Sequence, residues 1–251
     1  MKEGWLAATL AEKIPEHVLK NGLDFVHSFL SRESKGLLVK WEIGTRKGWL
    51  EVGADGEDAE AFLNILKEKL GTVPVQYSGL EKWDVAKGFL VGAGRVGFGV
   101  YVDVGILEPA AKDGLYPLHR MRAQLADGIA KSCREILDEN GLADNRPVSV
   151  LVTSIEGERV SLELSDETRL LLQSWKNLPF ERVVAMGVSR DNLEVSVKRA
   201  DLRYDVIRCE SLSLFCHCLV CKVGTEAPGV IAKIGRHLKG VSLKAFRGAV
   251  E

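Results

Sequence analysis

The chain has 251 residues, a formal net charge of -1 and apolar and charged fractions ordinary for a globular protein. That length suits one large domain or two to three small ones, and the near-zero charge excludes any global pull toward nucleic acid or membrane. The N-terminus shows no apolar core followed by a cleavage site, and the longest apolar run is too short to span a bilayer, so the expectation is a cytoplasmic protein with no membrane partner.

Residues 1–80 alternate between strand and helix patterns. Trp5 to Leu10 reads as a strand, and Val18, Leu19, Leu23, Val26, Phe29 and Leu30 recur at helical spacing after Pro15. Leu37, Val39, Trp41 and Ile43 alternate as a strand does, and the turn GTRKG leads into a partner strand from Trp49 to Val52. Asp55 is placed to cap a helix with Ala59, Phe62, Leu63, Leu66 and Leu70 on one face and Gly71 as its stop. Val73 to Tyr77 makes a last strand, at a sheet edge because of Pro74. The order β-α-β-β-α-β predicts a ferredoxin-like α/β segment.

Residues 81–176 read as mainly β. Strands are predicted at Val85–Val91 and Phe98–Val104, and a hairpin at Val148–Ile155 and Arg159–Leu164 about the turn EGE. Between them, Leu118, Met121, Leu125, Ile129 and Ile136 predict one long amphipathic helix ending at Asn140-Gly141. Residues 177–251 return to β-α-β-β-α-β. Val183–Val188 is a strand, Leu193, Val197 and Ala200 mark a helix, and Val206–Val223 holds two strands. Thr225 caps a helix to Leu238, and Val241–Phe246 closes the segment.

The stretch GAGRVGFGVYVDVGI carries G-x-G-x-x-G at Gly92, Gly94 and Gly97. A dinucleotide fingerprint needs a helix after the glycines and an acidic residue about 20 positions on. Here β-branched and aromatic residues follow, and the later region is LYPLHR, so the glycines are read as a turn between strands. KGFLVGAGRVGFGVYVDVG with DGLYPL resembles the first three strands of an S1-type RNA-binding domain, and VSVLVTSIEGERVSLEL resembles its last hairpin. The implied fold class is α+β: a central S1-like OB β-barrel with an inserted helix, flanked by two small α/β segments.

The resemblance implies that Phe98 and Tyr101 stack on unpaired bases, with Glu156 and Arg159 at the acidic and basic positions of the last hairpin. The position where S1 domains often carry a histidine holds Pro117 here, and His119 is out of register. The bland alternative makes Phe98 a core residue and packs Tyr101 on the inserted helix. As a whole, the chain resembles a conserved archaeal family defined by sequence, most clearly from VGFGVYVDVGI onward and in CKVGTEAPGVI.

Two further features bear on function. From Lys222 to Arg247 there are six basic residues against one acid, Glu226, and Lys233, Arg236 and Lys239 are candidates to follow a phosphate backbone. The segment VIAKIGRHL is similar to the helix-loop-helix of a KH domain but has Ala232 where its first glycine belongs, so one amphipathic helix is the preferred reading. Cys209, Cys216, Cys218 and Cys221 surround His217 in C-x-C-x-x-C spacing, which lacks the second knuckle of a zinc site. If this is a strand, Cys216 and Cys218 share a face and His217 points the other way. No hydrolase, zincin or P-loop motif occurs. The expected function is that of a non-enzymatic RNA-binding protein without cofactors. A protein-interaction scaffold and a zinc or thiol enzyme are the alternatives.

Overall fold

A computed structural model describes residues 4–248. The described residues form thirteen strands and eight α-helices in three packed segments. Among the described residues no helix is long and apolar enough to cross a membrane.

The N-terminal segment runs β1 (Leu6–Lys13), α1 (Glu16–Asn21), α2 (Asp24–Glu33), β2 (Lys40–Arg46), β3 (Trp49–Asp55) and α3 (Ala59–Leu70). The sheet is antiparallel in the order β1-β3-β2. The predicted single helix after Pro15 is two, because Gly22 at φ 109° reverses the chain between them. Asp58 rather than Asp55 precedes α3, since β3 continues through Asp55. The predicted closing strand also differs. Thr72 makes an isolated antiparallel bridge to Leu10, and β4 (Val75–Gln76) then pairs in parallel with a strand of the next segment. Pro74 supplies no N–H between these two pairings.

The central segment is a closed five-strand barrel of β5 (Val85–Val91), β6 (Gly99–Glu108), β7 (Lys112–Pro117), β8 (Pro147–Glu156) and β9 (Arg159–Leu164). The order around it is β5-β6-β7-β9-β8 and back to β5, antiparallel except for the β7–β9 junction. Alternate residues point inward: Val100, Val102, Val104 and Ile106 of β6 are fully buried, as are Val150 and Val152 of β8.

Between β7 and β8 lie α4 (Leu118–Leu125) and α5 (Cys133–Glu139), not one long helix. The break has two causes. Asp127 and Gly128 both adopt positive φ, and Ser132 forms a capping box with Glu135 that starts α5 afresh. Ile129, predicted on the buried face, is 59 % exposed in this break. A helix absent from the sequence reading, α6 (Asp166–Lys176), follows β9 and buries Leu172 and Trp175.

The C-terminal segment runs β10 (Arg182–Met186), α7 (Arg190–Arg199), β11 (Val206–Ser213), β12 (Cys216–Cys221), α8 (Ala227–Ile234) and β13 (Ser242–Phe246). Its antiparallel sheet has the order β11-β12-β10-β13. Glu226 rather than Thr225 precedes α8, without a side-chain cap hydrogen bond but with a proline in the first turn, and the helix passes into a 3-10 turn at Gly235–His237.

One face of this sheet, with Val184, Met186, Cys216, Cys218 and Phe246, joins the barrel core and α6. The other, with Val183, Ala185, Leu219 and Cys221, is covered by α7 and α8. The turn between β11 and β12 reaches the third segment: Leu214 and Phe215 pack into the N-terminal core, and Phe215 meets Phe25 edge-on.

Candidate nucleic-acid interface

The glycine stretch is a turn followed by β6, so no helix follows its glycines as a dinucleotide turn requires. Gly94 adopts φ 77° at the turn. A side chain at Gly99 would lie 2.4 Å from the carbonyl oxygen of Tyr116, so β7 can approach β6 only because Gly99 has none. The turn is held at both ends. The Ala93 N–H donates to Asp144 Oδ1 at 2.6 Å, and the Leu118 N–H donates to the Phe98 carbonyl at 2.8 Å.

This geometry turns Phe98 outward. Its side chain is 55 % exposed, and its ring meets Tyr101 edge-on with centroids 6.3 Å apart. Neither aromatic belongs to the barrel interior. The registers place Tyr101 opposite Leu115, and Leu115 opposite Ser161, so the three form one row across β6, β7 and β9 on the outer face. Arg159 is exposed on the same face, two residues or about 7 Å further along β9. Glu156 is its cross-strand partner.

Glu156 and Arg159 flank a turn whose Glu158 is ion-paired with Lys112, at the end of the barrel away from Phe98. That end is acidic: Asp103, Asp113 and Glu108 lie on β6 and β7. Partial desolvation at this exposed position and the neighbouring Asp103 carboxylate hold the Asp113 carboxyl above its ordinary range. The N-terminal segment neutralises part of this charge. Lys13 pairs with Asp103, Arg46 pairs with Glu108, and Lys47 donates to the Leu107 carbonyl. Beside Phe98, by contrast, the exposed residues are Arg95, His119 and Arg120, the last 3.3 Å from Glu163. Only the register of the closed barrel reveals this grouping. Pro117 ends β7 and precedes α4, which carries His119 off the sheet.

The C-terminal basic residues stand apart from these aromatics. Lys233, Arg236 and Lys239 are exposed, but α8 packs on the face of the C-terminal sheet that points away from the barrel. Lys244 is ion-paired with Asp138.

The cysteines divide between the two faces of β12. Cys216 and Cys218 face the barrel, and Cys221 faces the helices beside half-buried Cys209. His217 shares the helix side, with Nδ1 3.1 Å from the Ser211 hydroxyl. A single tetrahedron cannot draw ligands through a sheet, and no metal-binding group of three His, Cys, Asp or Glu exists among the described residues. Burial pushes the Cys216 thiol up to about 12 and the Cys209 and Cys221 thiols up to about 11, the opposite of an activated nucleophile.

Two family models match the chain. Residues 80–176 match the DUF2110 central domain, and residues 180–245 match the DUF2110 C-terminal domain. No curated protein matches the chain.

Proposed function

The chain belongs to the DUF2110 family, and from that premise we propose that it is a non-enzymatic protein that binds single-stranded RNA on the outer face of its barrel. The carrying observation is exposed Phe98, edge-paired with half-buried Tyr101 on the outer face of a closed five-strand barrel. The strand order, first-second-third-fifth-fourth with helices inserted between third and fourth, supports an S1-like OB reading. In OB folds the second and third strands and the adjoining loops receive oligonucleotides. The β-α-β-β-α-β order of the C-terminal segment supports the ferredoxin-like reading of that flank.

An aromatic face accepts any base, at about 1–3 kcal/mol per stacked base, so binding is sequence-tolerant. Arg95 and Arg120 supply positive charge beside the rings, and the acidic far end limits the footprint to the Phe98 half of the barrel. Arg159 and Glu156, in the last hairpin at that acidic end, lie outside this footprint. The test is photo-crosslinking with a 4-thiouridine oligonucleotide and peptide mapping. Adducts within the 95–101 peptide are expected; adducts confined to other peptides remove the barrel from the interface.

A second reading, a protein-interaction scaffold, is favoured by the free edge strand β11. On it Ile207 is 52 % exposed, and just beyond its Val206–Cys221 pairing Tyr204 and Val223 are 86 % and 60 % exposed. An unpaired strand edge with apolar neighbours is a template for strand addition by a partner.

A further inference from the structure

Strand β11 is one edge of the C-terminal sheet. The hydrogen-bond alternation of that sheet fixes which main-chain groups the edge leaves open. The Cys221 N–H donates to the Glu181 carbonyl and the Gly187 N–H to the Phe215 carbonyl, so the odd-numbered residues of β12 bond toward β10 and the even-numbered ones toward β11. Arg208 and Glu210 stand opposite Val220 and Cys218 and therefore direct their main-chain groups into the sheet. Cys209 and Ser211 direct theirs outward. Among the described residues no hydrogen bond from elsewhere in the chain reaches these outward groups.

A charged strand edge ordinarily guards a sheet against further pairing. The charges of this edge are self-complementary instead. Arg208 and Glu210 lie on one face of β11, two residues apart, with Nε 2.6 Å from Oε1. Let a second β11 lie antiparallel to the first, across a two-fold axis at Cys209. Cys209 then meets its own copy as a hydrogen-bonded pair. Arg208 faces Glu210 of the second copy, and Glu210 faces Arg208, both as non-hydrogen-bonded pairs, the closer of the two kinds. The four side chains alternate in sign. An axis at Arg208 or at Glu210 would oppose like charges instead. Exposed Ile207 falls opposite Ser211 of the second copy, and the ladder ends before Ser213, where the register shifts and Leu214 and Phe215 enter the N-terminal core.

We propose that two copies of this chain associate through β11, joining their C-terminal sheets into one continuous antiparallel sheet about a two-fold axis. The interface rests on the same free edge as the scaffold reading, with a second copy of the chain as its occupant.

The test is sedimentation equilibrium of the full chain at submillimolar concentration, with amide exchange measured on the same samples. Wild type is expected to dimerise. R208E and E210R each set like charges across the axis and are expected to weaken the dimer at least about tenfold. Mixed in equal amounts, the two variants are expected to restore it as a heterodimer, because one chain then carries two acids and the other two bases at the facing positions. An ion pair within one strand cannot produce that recovery. The Cys209 and Ser211 amides are expected to exchange slowly in the dimer and fast in either variant alone. A monomeric wild type, an R208E dimer as tight as wild type, or no recovery in the mixture overturns the interface. In a monomeric wild type, fast exchange at Cys209 and Ser211 leaves the edge open to a different protein, and slow exchange removes the free edge as well.

Discussion

The ring of Phe98 meets the ring of Tyr101 at 89° with centroids 6.3 Å apart, an edge-to-face pair. A T-shaped pair gains about 0.5–1.5 kcal/mol beyond its buried area. That holds the rings in place without hiding them. Because Phe98 is 55 % exposed, Phe98→Ala is expected to lower unfolding stability by no more than about 1 kcal/mol in urea. Val102→Ala, inside the same barrel and fully buried, is expected to cost roughly 1–3 kcal/mol. Equal costs would mean that Phe98 is a core residue.

Glu12 lies at the junction of the N-terminal and C-terminal segments, 4 % exposed, where its carboxylate accepts the Leu214 N–H at 3.2 Å. Burial pushes its carboxyl up to about 7, against the Leu214 and Ser213 hydrogen bonds and Lys87, which pull it down. The unfolded chain loses this proton near 4.5 and the folded chain near 7. The folded protein is therefore penalised progressively as pH rises through that window, and fully above it. Glu12→Gln keeps an oxygen acceptor for Leu214 and removes the penalty. It is expected to stabilise the protein by up to roughly 3 kcal/mol at pH 8 and by little at pH 4.5. A stability difference that does not change with pH would contradict this assignment.

Trp175 is packed between two buried guanidiniums, with Arg146 4.9 Å and Arg182 5.2 Å from its ring centroid. Arg146 donates to the Gly141 and Asn140 carbonyls after α5, and Arg182 to the Phe180 carbonyl. Desolvated cation–π contacts contribute about 2 kcal/mol each, and loss of the indole opens a cavity besides. Trp175→Ala is expected to cost at least about 4 kcal/mol by circular-dichroism denaturation, and Trp175→Phe clearly less. Tolerance of the alanine would show that the two arginines are satisfied without the ring.

All five cysteines are free, four are buried and Cys209 is half-buried. Burial raises the Cys209 and Cys221 thiols to about 11 and Cys216 to about 12, and pushes Cys133 and Cys218 up as well, so little thiolate exists at pH 7. Ellman's reagent is expected to react slowly with native protein and rapidly with all five thiols in denaturant. A rapid stoichiometric reaction in the native state would revive the thiol-enzyme reading.

The parts of the fold legible in the sequence are those where local pattern and tertiary demand agree. The inward residues of β6 alternate as a half-buried strand should, and the rejection of a dinucleotide turn followed from FGVYVDVGI. Failures occurred where a single residue overrides periodicity. Gly22 divides a helical pattern, and the Ser132–Glu135 capping box starts a new helix inside a longer one. Helix α6 escaped because its apolar face is short, though Ser165 and two acids in its first turn mark a helix start. The outward turn of Phe98 and Tyr101 depends on barrel closure, and so does their separation from Lys233, Arg236 and Lys239. Charge along the chain cannot show which face of a sheet a helix will cover.

The most direct measurement is fluorescence anisotropy with a mixed-sequence single-stranded RNA across salt concentrations, comparing wild type with F98A/Y101A of verified fold. Salt-sensitive binding, weakened at least about tenfold by the double substitution, is the predicted result. No binding at low salt, or binding indifferent to the loss of both rings, would contradict the assignment of the barrel face to RNA.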